Sequence, residues 1–211
     1  MYVPTHFEES RLEVLHAFIR ASPLATLVTL SSAGIEANHI PLHLSPEPGK
    51  FGTLRGHVAR ANPLWRDRVG EVESLAIFRG PDSYISPSWY ATKREHGKVV
   101  PTWNYSVVHA HGTIRFEKNR DHGLLHVGEL TDRQEASRPE PWKVSDAPAD
   151  FIEPMLSRIV SFEITVTRLV GKFKASQHRP EGERSVVAAA LAAEGASAAD
   201  LNEVIRSPGQ C

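Results

Sequence analysis

Leu24-Ala25-Thr26-Leu27-Val28-Thr29-Leu30, then Ser31-Ser32-Ala33-Gly34, then Ile35 to Leu44, is the stretch that decides the fold. An apolar, β-branched run, a cluster of small turn formers and a second run of similar length read as a β-hairpin. Working outward, Leu12, Leu15, Phe18 and Ile19 recur at helical spacing after Ser10, a suitable N-cap, and Ser22-Pro23 closes a helix over about 10–22. Downstream, Pro46, Pro48 and Gly49 mark a turn and Gly52 to Val58 a strand. Arg60 to Trp65 reads as a short helical turn, and Ser74–Phe78 and Tyr84–Tyr90 as two strands. Val107 to Phe116 alternates, with Val108, Ala110, Gly112, Ile114 and Phe116 on one side. A helical insertion follows over about 121–160, its first helix carrying Leu124, Val127 and Leu130 on one face. Ser161 to Val170 is again a strand, with Phe162, Ile164 and Val166 inward. Helices are expected over about 183–207, the last opened by Ser197-Ala198-Ala199-Asp200. Six or more strands with hairpin-length connections predict a mainly β, α+β fold: one antiparallel barrel domain over 1–211, its barrel spanning about 24–175 with helices at the rim.

Composition narrows the function. The chain has 211 residues, 41% hydrophobic and 23% charged, ordinary for a globular protein. A net charge of −1 gives no global attraction to nucleic acid, so DNA binding would need a local patch. The lone Cys211 excludes internal disulfides and thiolate metal cages within one chain. There is no apolar run of membrane-span length, and Met1-Tyr2-Val3-Pro4-Thr5-His6 lacks the basic and apolar regions of a secretion signal. A cytoplasmic protein with no membrane partner is the expectation.

Three stretches carry candidate chemistry. Residues 79–105 hold five of the eight Trp and Tyr residues (Tyr84, Trp89, Tyr90, Trp103, Tyr105) among prolines and hydroxyls. They suit either a pocket for a planar, polar-edged ligand or bent edge strands whose rings fill a core. Gly56-His57-Val58-Ala59-Arg60-Ala61-Asn62-Pro63 brings three potential anion donors within six residues, or is a surface turn with a stray arginine. Arg168 to Arg184 is basic; it could meet nucleic-acid phosphates, anchor a ligand through Lys174, Ser176 and Gln177, or be a solvated strand. His109 and His111 share a strand face without a carboxylate at matching spacing, so no metal is assigned. No nucleophile elbow or spaced carboxylate pair supports hydrolysis.

Taken together, these segments resemble the FMN-binding negative transcriptional regulators, the PaiB-like family. The resemblance rests on Met1 to Phe7, Gly56 to Pro63, Tyr84-Ile85-Ser86-Pro87-Ser88-Trp89-Tyr90, Val100-Pro101-Thr102-Trp103-Asn104-Tyr105, and Gly171 to Pro180. It implies an FMN-binding split β-barrel of the pyridoxamine-phosphate-oxidase and flavin-reductase type, working as a homodimer with FMN in a groove between subunits. It further implies that Asn38, His39, His57, Arg60 and Asn62 flank the phosphate. Ser86, Ser88, Trp89, Tyr90, Thr102, Trp103 and Asn104 would line the ring system or the dimer seam, with Lys174, Ser176 and Gln177 as polar anchors. Function is then expected to be that of a dimeric flavoprotein regulator. An oxidoreductase acting on NAD(P)H and a small acceptor is the alternative, with haem binding behind it; direct DNA binding is a separate question, since no helix-turn-helix is evident.

Overall fold

The computed structural model describes residues 1–70, 72–90 and 92–194. The helix expected from Ser197 and Cys211 lie outside them. In chain order the elements are β1 (Glu8–Glu9), α1 (Leu12–Ala21), β2 (Leu24–Ser31), β3 (Gly34–Pro41), β4 (His43–Ser45), β5 (Thr53–Ala59) and β6 (Ser74–Ile85). Then come α2 (Thr92–Glu95), β7 (Thr102–Glu117), α3 (Arg120–Glu135), α4 (Ala149–Ser157), β8 (Ile159–Lys174) and α5 (Glu181–Glu194). The strands form one sheet in the order β3-β2-β6-β7-β8-β5-β4, with β1 added against β8.

The chain divides into two compact units. One comprises Ile19–Ile77 and Ala110–Leu169. Here β2 and β3 form the expected hairpin, antiparallel from Leu24↔Pro41 to Ser31↔Gly34. Ala25, Leu27, Thr29 and Ser31 are buried along β2, a period of two that leaves Thr26, Val28 and Leu30 half-buried. Strand β5 pairs antiparallel with β8, placing Gly56 opposite Phe162. A Cβ on Gly56 would sit 2.7 Å from both the Phe162 ring and the Leu42 side chain, so the missing side chain makes room for the aromatic core. Phe162 in turn meets Phe116 at 5.7 Å between ring centres.

The other unit comprises Met1–Phe18, Phe78–His109 and the chain from Val170 onward. Glu9 pairs with Gly171 across β1 and β8, and its carboxylate accepts from the Arg11 amide at 2.8 Å just ahead of α1. Ile85, Tyr90, Ala175, Val187, Ala188 and Leu191 form a closed apolar cluster that seats α5.

Three expectations change. Strand β6 is one strand of 12 residues, continuous through Gly80-Pro81 rather than two. The next element is a 3-10 turn over Pro87–Trp89, because Pro87 starts a turn readily and cannot serve a ladder. The strand returning from the hairpin breaks at Leu42, which is buried while its amide bonds the Pro23 carbonyl at 2.8 Å. In α3 the fully buried positions are Gly123 and His126, not Leu124, Val127 or Leu130.

Candidate functional site

In the unit containing residues 78–109, β7 presents two faces. Asn104, Ser106, Val108 and Ala110 are buried on one. The alternate positions Trp103, Tyr105, Val107 and His109 line a cavity of about 530 Å³, together with Met1, Arg79 and Asp82. Trp103 is 54% exposed, yet its ring is held edge-on to Tyr84 at 6.0 Å. Lys172 lies 5.3 Å from the centre of the Tyr105 ring, and Arg79 bonds Asp82. The volume falls in the range of small-molecule sites, and a flat apolar wall with charged edges suits an aromatic ligand.

The start of β7 is buckled to the end of β8. The Lys174 ammonium donates to both the Thr102 hydroxyl and the Trp103 carbonyl. Asn104, fully buried, donates to the Ser176 hydroxyl at 3.0 Å. Ser176 has a φ of 62°, the left-handed region that non-glycine residues rarely adopt. Gln177 closes the buckle, its oxygen accepting from the Ala175 amide at 2.7 Å and its amide bonding the Phe173 carbonyl. Burial lowers the Lys174 pKa, and the charge of Lys172 adds to the effect.

Ser86 and Ser88 shape the turn before α2: the Ser86 hydroxyl accepts from the Ser88 amide at 3.2 Å, and the Ser88 hydroxyl accepts from Lys93 at 3.1 Å. Trp89 packs against the apolar cluster to which Tyr90 itself belongs. The Arg179 guanidinium covers the Tyr90 ring at 4.6 Å and pairs with Glu183 at 2.9 Å. Of the aromatics expected at a ligand, Trp103 thus faces the cavity while Tyr90 is a core residue, 2% exposed.

In the other unit, Asn62 donates to Asn38 at 2.9 Å and its own oxygen accepts from the Leu64 amide, capping the turn at Pro63. His39 bonds the Thr26 hydroxyl at 3.1 Å. Arg60 donates through Nε to the Ser157 carbonyl at 2.5 Å and through Nη2 to the Ile159 carbonyl at 2.9 Å. A polar cavity of about 220 Å³ lies beside it, with Lys118, Asn119, Arg120 and Ser161 among its walls and Glu117 and Glu153 as counter-charges. His57 turns away from this group: its Nδ1 lies 3.1 Å from His126 Nε2, and burial lowers its pKa. A neutral buried imidazole offers no charge to a phosphate.

Trp103 and Tyr105 were expected at a ligand, whereas Met1, Arg79, Asp82, Val107 and His109 were not. The signal for two of these was present: Val107 and His109 share the odd-numbered face of the strand with Trp103 and Tyr105.

The fold is the split β-barrel, mainly antiparallel sheet with peripheral helices. The FAD- and haem-binding protein of Mycobacterium smegmatis has it too, at a TM-score of 0.58 and 14% identity over 79% of this chain and 73% of that one. The sequence profile of the family described as "Putative FMN-binding domain" matches residues 1–168, and the chain belongs to that family. Protease synthase and sporulation protein PAI 2 of Bacillus subtilis is 32% identical over 86% of this chain and 84% of its own length. The uncharacterised protein AN0679 of Emericella nidulans is 32% identical over 100% of this chain and 98% of its own. FMN is therefore the cofactor, and the aromatic wall of the cavity on β7 fits its planar ring. Among the described residues no helix is long and apolar enough to cross a membrane.

Proposed function

We propose that the chain is a homodimeric FMN flavoprotein with a regulatory role, and that the isoalloxazine ring stacks on the Trp103–Tyr105–Val107 face of β7. The observation that carries this is the combination of an uncovered tryptophan with a fixed position: Trp103 is half-exposed, but Tyr84 steadies its ring and Lys174 its carbonyl. A side chain left open and yet held still is preorganised for a ligand. Bound FMN supplies one- and two-electron redox chemistry. Trp103 and Tyr105 would exclude water from one face of the ring, and Arg79 and His109 would address its polar edge.

An anion contact is proposed for Arg60; Asn62, two positions on in the chain, is engaged with Asn38 at 2.9 Å. Backbone carbonyls fix two nitrogens of the guanidinium before any ligand arrives, which lowers the ordering cost of binding. Ser86 and Gln177 would support the ring site by bonding its backbone, and Ser88, Thr102, Asn104 and Ser176 by bonding neighbouring side chains; His39, in the other unit, bonds the Thr26 hydroxyl. The dimer reading is supported by the exposed Tyr84, Val100 and Trp103 of one unit, large apolar groups that a second copy would cover. The regulatory role is supported by the PaiB-like motifs.

Titrating the apo protein with FMN, followed by flavin fluorescence, tests the ring and phosphate assignments separately. Trp103→Ala and Arg60→Lys should each weaken binding about tenfold, a loss of about 1.4 kcal/mol, whereas Trp142→Ala should leave it unchanged. Unaltered affinity in Trp103→Ala would refute the ring placement. Light scattering of the same protein reads the dimer, and a salt-dependent gel shift on its own upstream DNA reads direct regulation. NAD(P)H oxidation above background would move the reading to an oxidoreductase.

A further inference from the structure

The most buried positions of helix α3 are not its large apolar ones: only Gly123 and His126 are fully buried, while His122, Leu124, Val127, Glu129, Leu130 and Arg133 are half-buried. From the strands beneath, β4 offers His43, β5 offers Arg55 and His57, and β8 offers Glu163. Arg55 bonds Glu163 at 2.8 Å and Glu129 at 3.2 Å; His122 bonds Glu163 at 3.2 Å; His43 lies 3.9 Å from Glu129. The remaining charges nearby are Arg133 of α3 and Arg20 of α1, which act on His43, and Glu153 of α4, which pairs with Arg120. At the centre is the contact between His57 Nδ1 and His126 Nε2, 3.1 Å apart.

We propose that this imidazole–imidazole contact is a proton-sensitive latch: neutral, it holds α3 on the sheet, and protonated, it lets the helix go. One nitrogen must donate and the other accept, so the contact exists in only two tautomeric arrangements. His126 Nδ1 is buried without a hydrogen-bond partner. If His126 donates, a further proton must go to that Nδ1, creating a buried N–H with no acceptor. If His126 accepts, a proton on Nε2 abolishes the bond itself. Either way protonation costs the docked state. His43 and His122 differ in geometry, with Glu129 3.9 Å from the one and Glu163 3.2 Å from the other. The pair at the centre faces Arg55 instead.

Burial, reinforced by His57, His43, His122 and Arg55, holds His126 at about 3, against an ordinary 6.5. Released into water, the ring regains its ordinary value. Between those limits the released form binds more protons, so acidification favours it. For His126 alone the release equilibrium rises about thirtyfold between pH 7.5 and 5. Asn119, Arg120 and Gly123, at the start of α3, wall the polar cavity beside Arg60, so releasing the helix opens that cavity.

Hydrogen exchange of the whole protein at pH 7.5 and 5, corrected for intrinsic rates, reads the latch. Opening of residues 120–135 should rise about thirtyfold at the lower pH, while α5 changes less than threefold. His126→Gln and His126→Leu should remove the rise. Loss of α3 and α5 protection in step, or a rise that persists in both variants, overturns the proposal. Should neither variant fold, an imidazole NMR titration of the unaltered protein decides. His126 neutral down to pH 4 supports the latch, and titration near 6.5 in the docked state sinks it.

Discussion

Asn104 donates to the hydroxyl of Ser176 at 3.0 Å, joining two residues 72 positions apart in the chain at a point where the backbone of Ser176 is left-handed. The bond compensates a conformation that serine does not choose by itself.

That compensation is separable by mutation. Ser176→Gly should relieve about 1 kcal/mol of backbone strain and lose a hydrogen bond of similar worth, for little net change in stability. Ser176→Ala loses the same bond but keeps the strain, so it should be less stable than Ser176→Gly by about 1 kcal/mol. Urea melts of the two variants give the comparison; equal midpoints would show that the strain is not real.

Gly56→Ala should destabilise by about 1–3 kcal/mol, since the new methyl meets Leu42 and Phe162 at 2.7 Å in a packed core. Thermal melts check it, and a companion Gly56→Ala, Phe162→Leu chain should recover part of the loss.

The ion-pair network predicts an acid limit. Burial acts to raise the Glu163 carboxyl, but hydrogen bonds from Arg55 and His122 outweigh it and its pKa stays below the ordinary 4.5. Its contribution is therefore present above pH 4.5 and lost as pH falls below that value. Arg55→Met should remove it, costing about 1 kcal/mol at pH 7, a modest figure because the partners are partly exposed. The variant's stability should then depend less on pH between 4.5 and 3, which urea melts across that range would reveal.

Trp103→Ala should barely change the melting temperature, within about 0.5 kcal/mol, because the ring is half in water, while FMN affinity falls. A large drop in both would make Trp103 a core residue rather than a binding face.

Much of this was legible in the chain. The turn at Ser31 to Gly34 fixes which residue opposes which, and alternation on β7 and β8 correctly separates Ala110 and Ile164 from their solvated neighbours. On helix α3 the apolar spacing points to Leu124, Val127 and Leu130, which are half-buried, whereas the fully buried positions are Gly123 and His126, over a surface that offers His57, Arg55 and Glu163. Apolar periodicity cannot report a helix docked by imidazoles and carboxylates. Tyr90 was drawn toward the ligand by its neighbours in sequence, although its ring belongs to the cluster that seats α5. Cavity residues such as Arg79 and Asp82 come from another strand, β6, and nothing local marks them.

The family match ends at residue 168, whereas the lysine that steadies Thr102 and the Trp103 carbonyl is residue 174. A chain trimmed to the boundary of the match would keep every aromatic of the cavity and lose the fastening behind it. Where the family match stops and where the fastening of the cavity is complete are here two different places, separated by a single ammonium group.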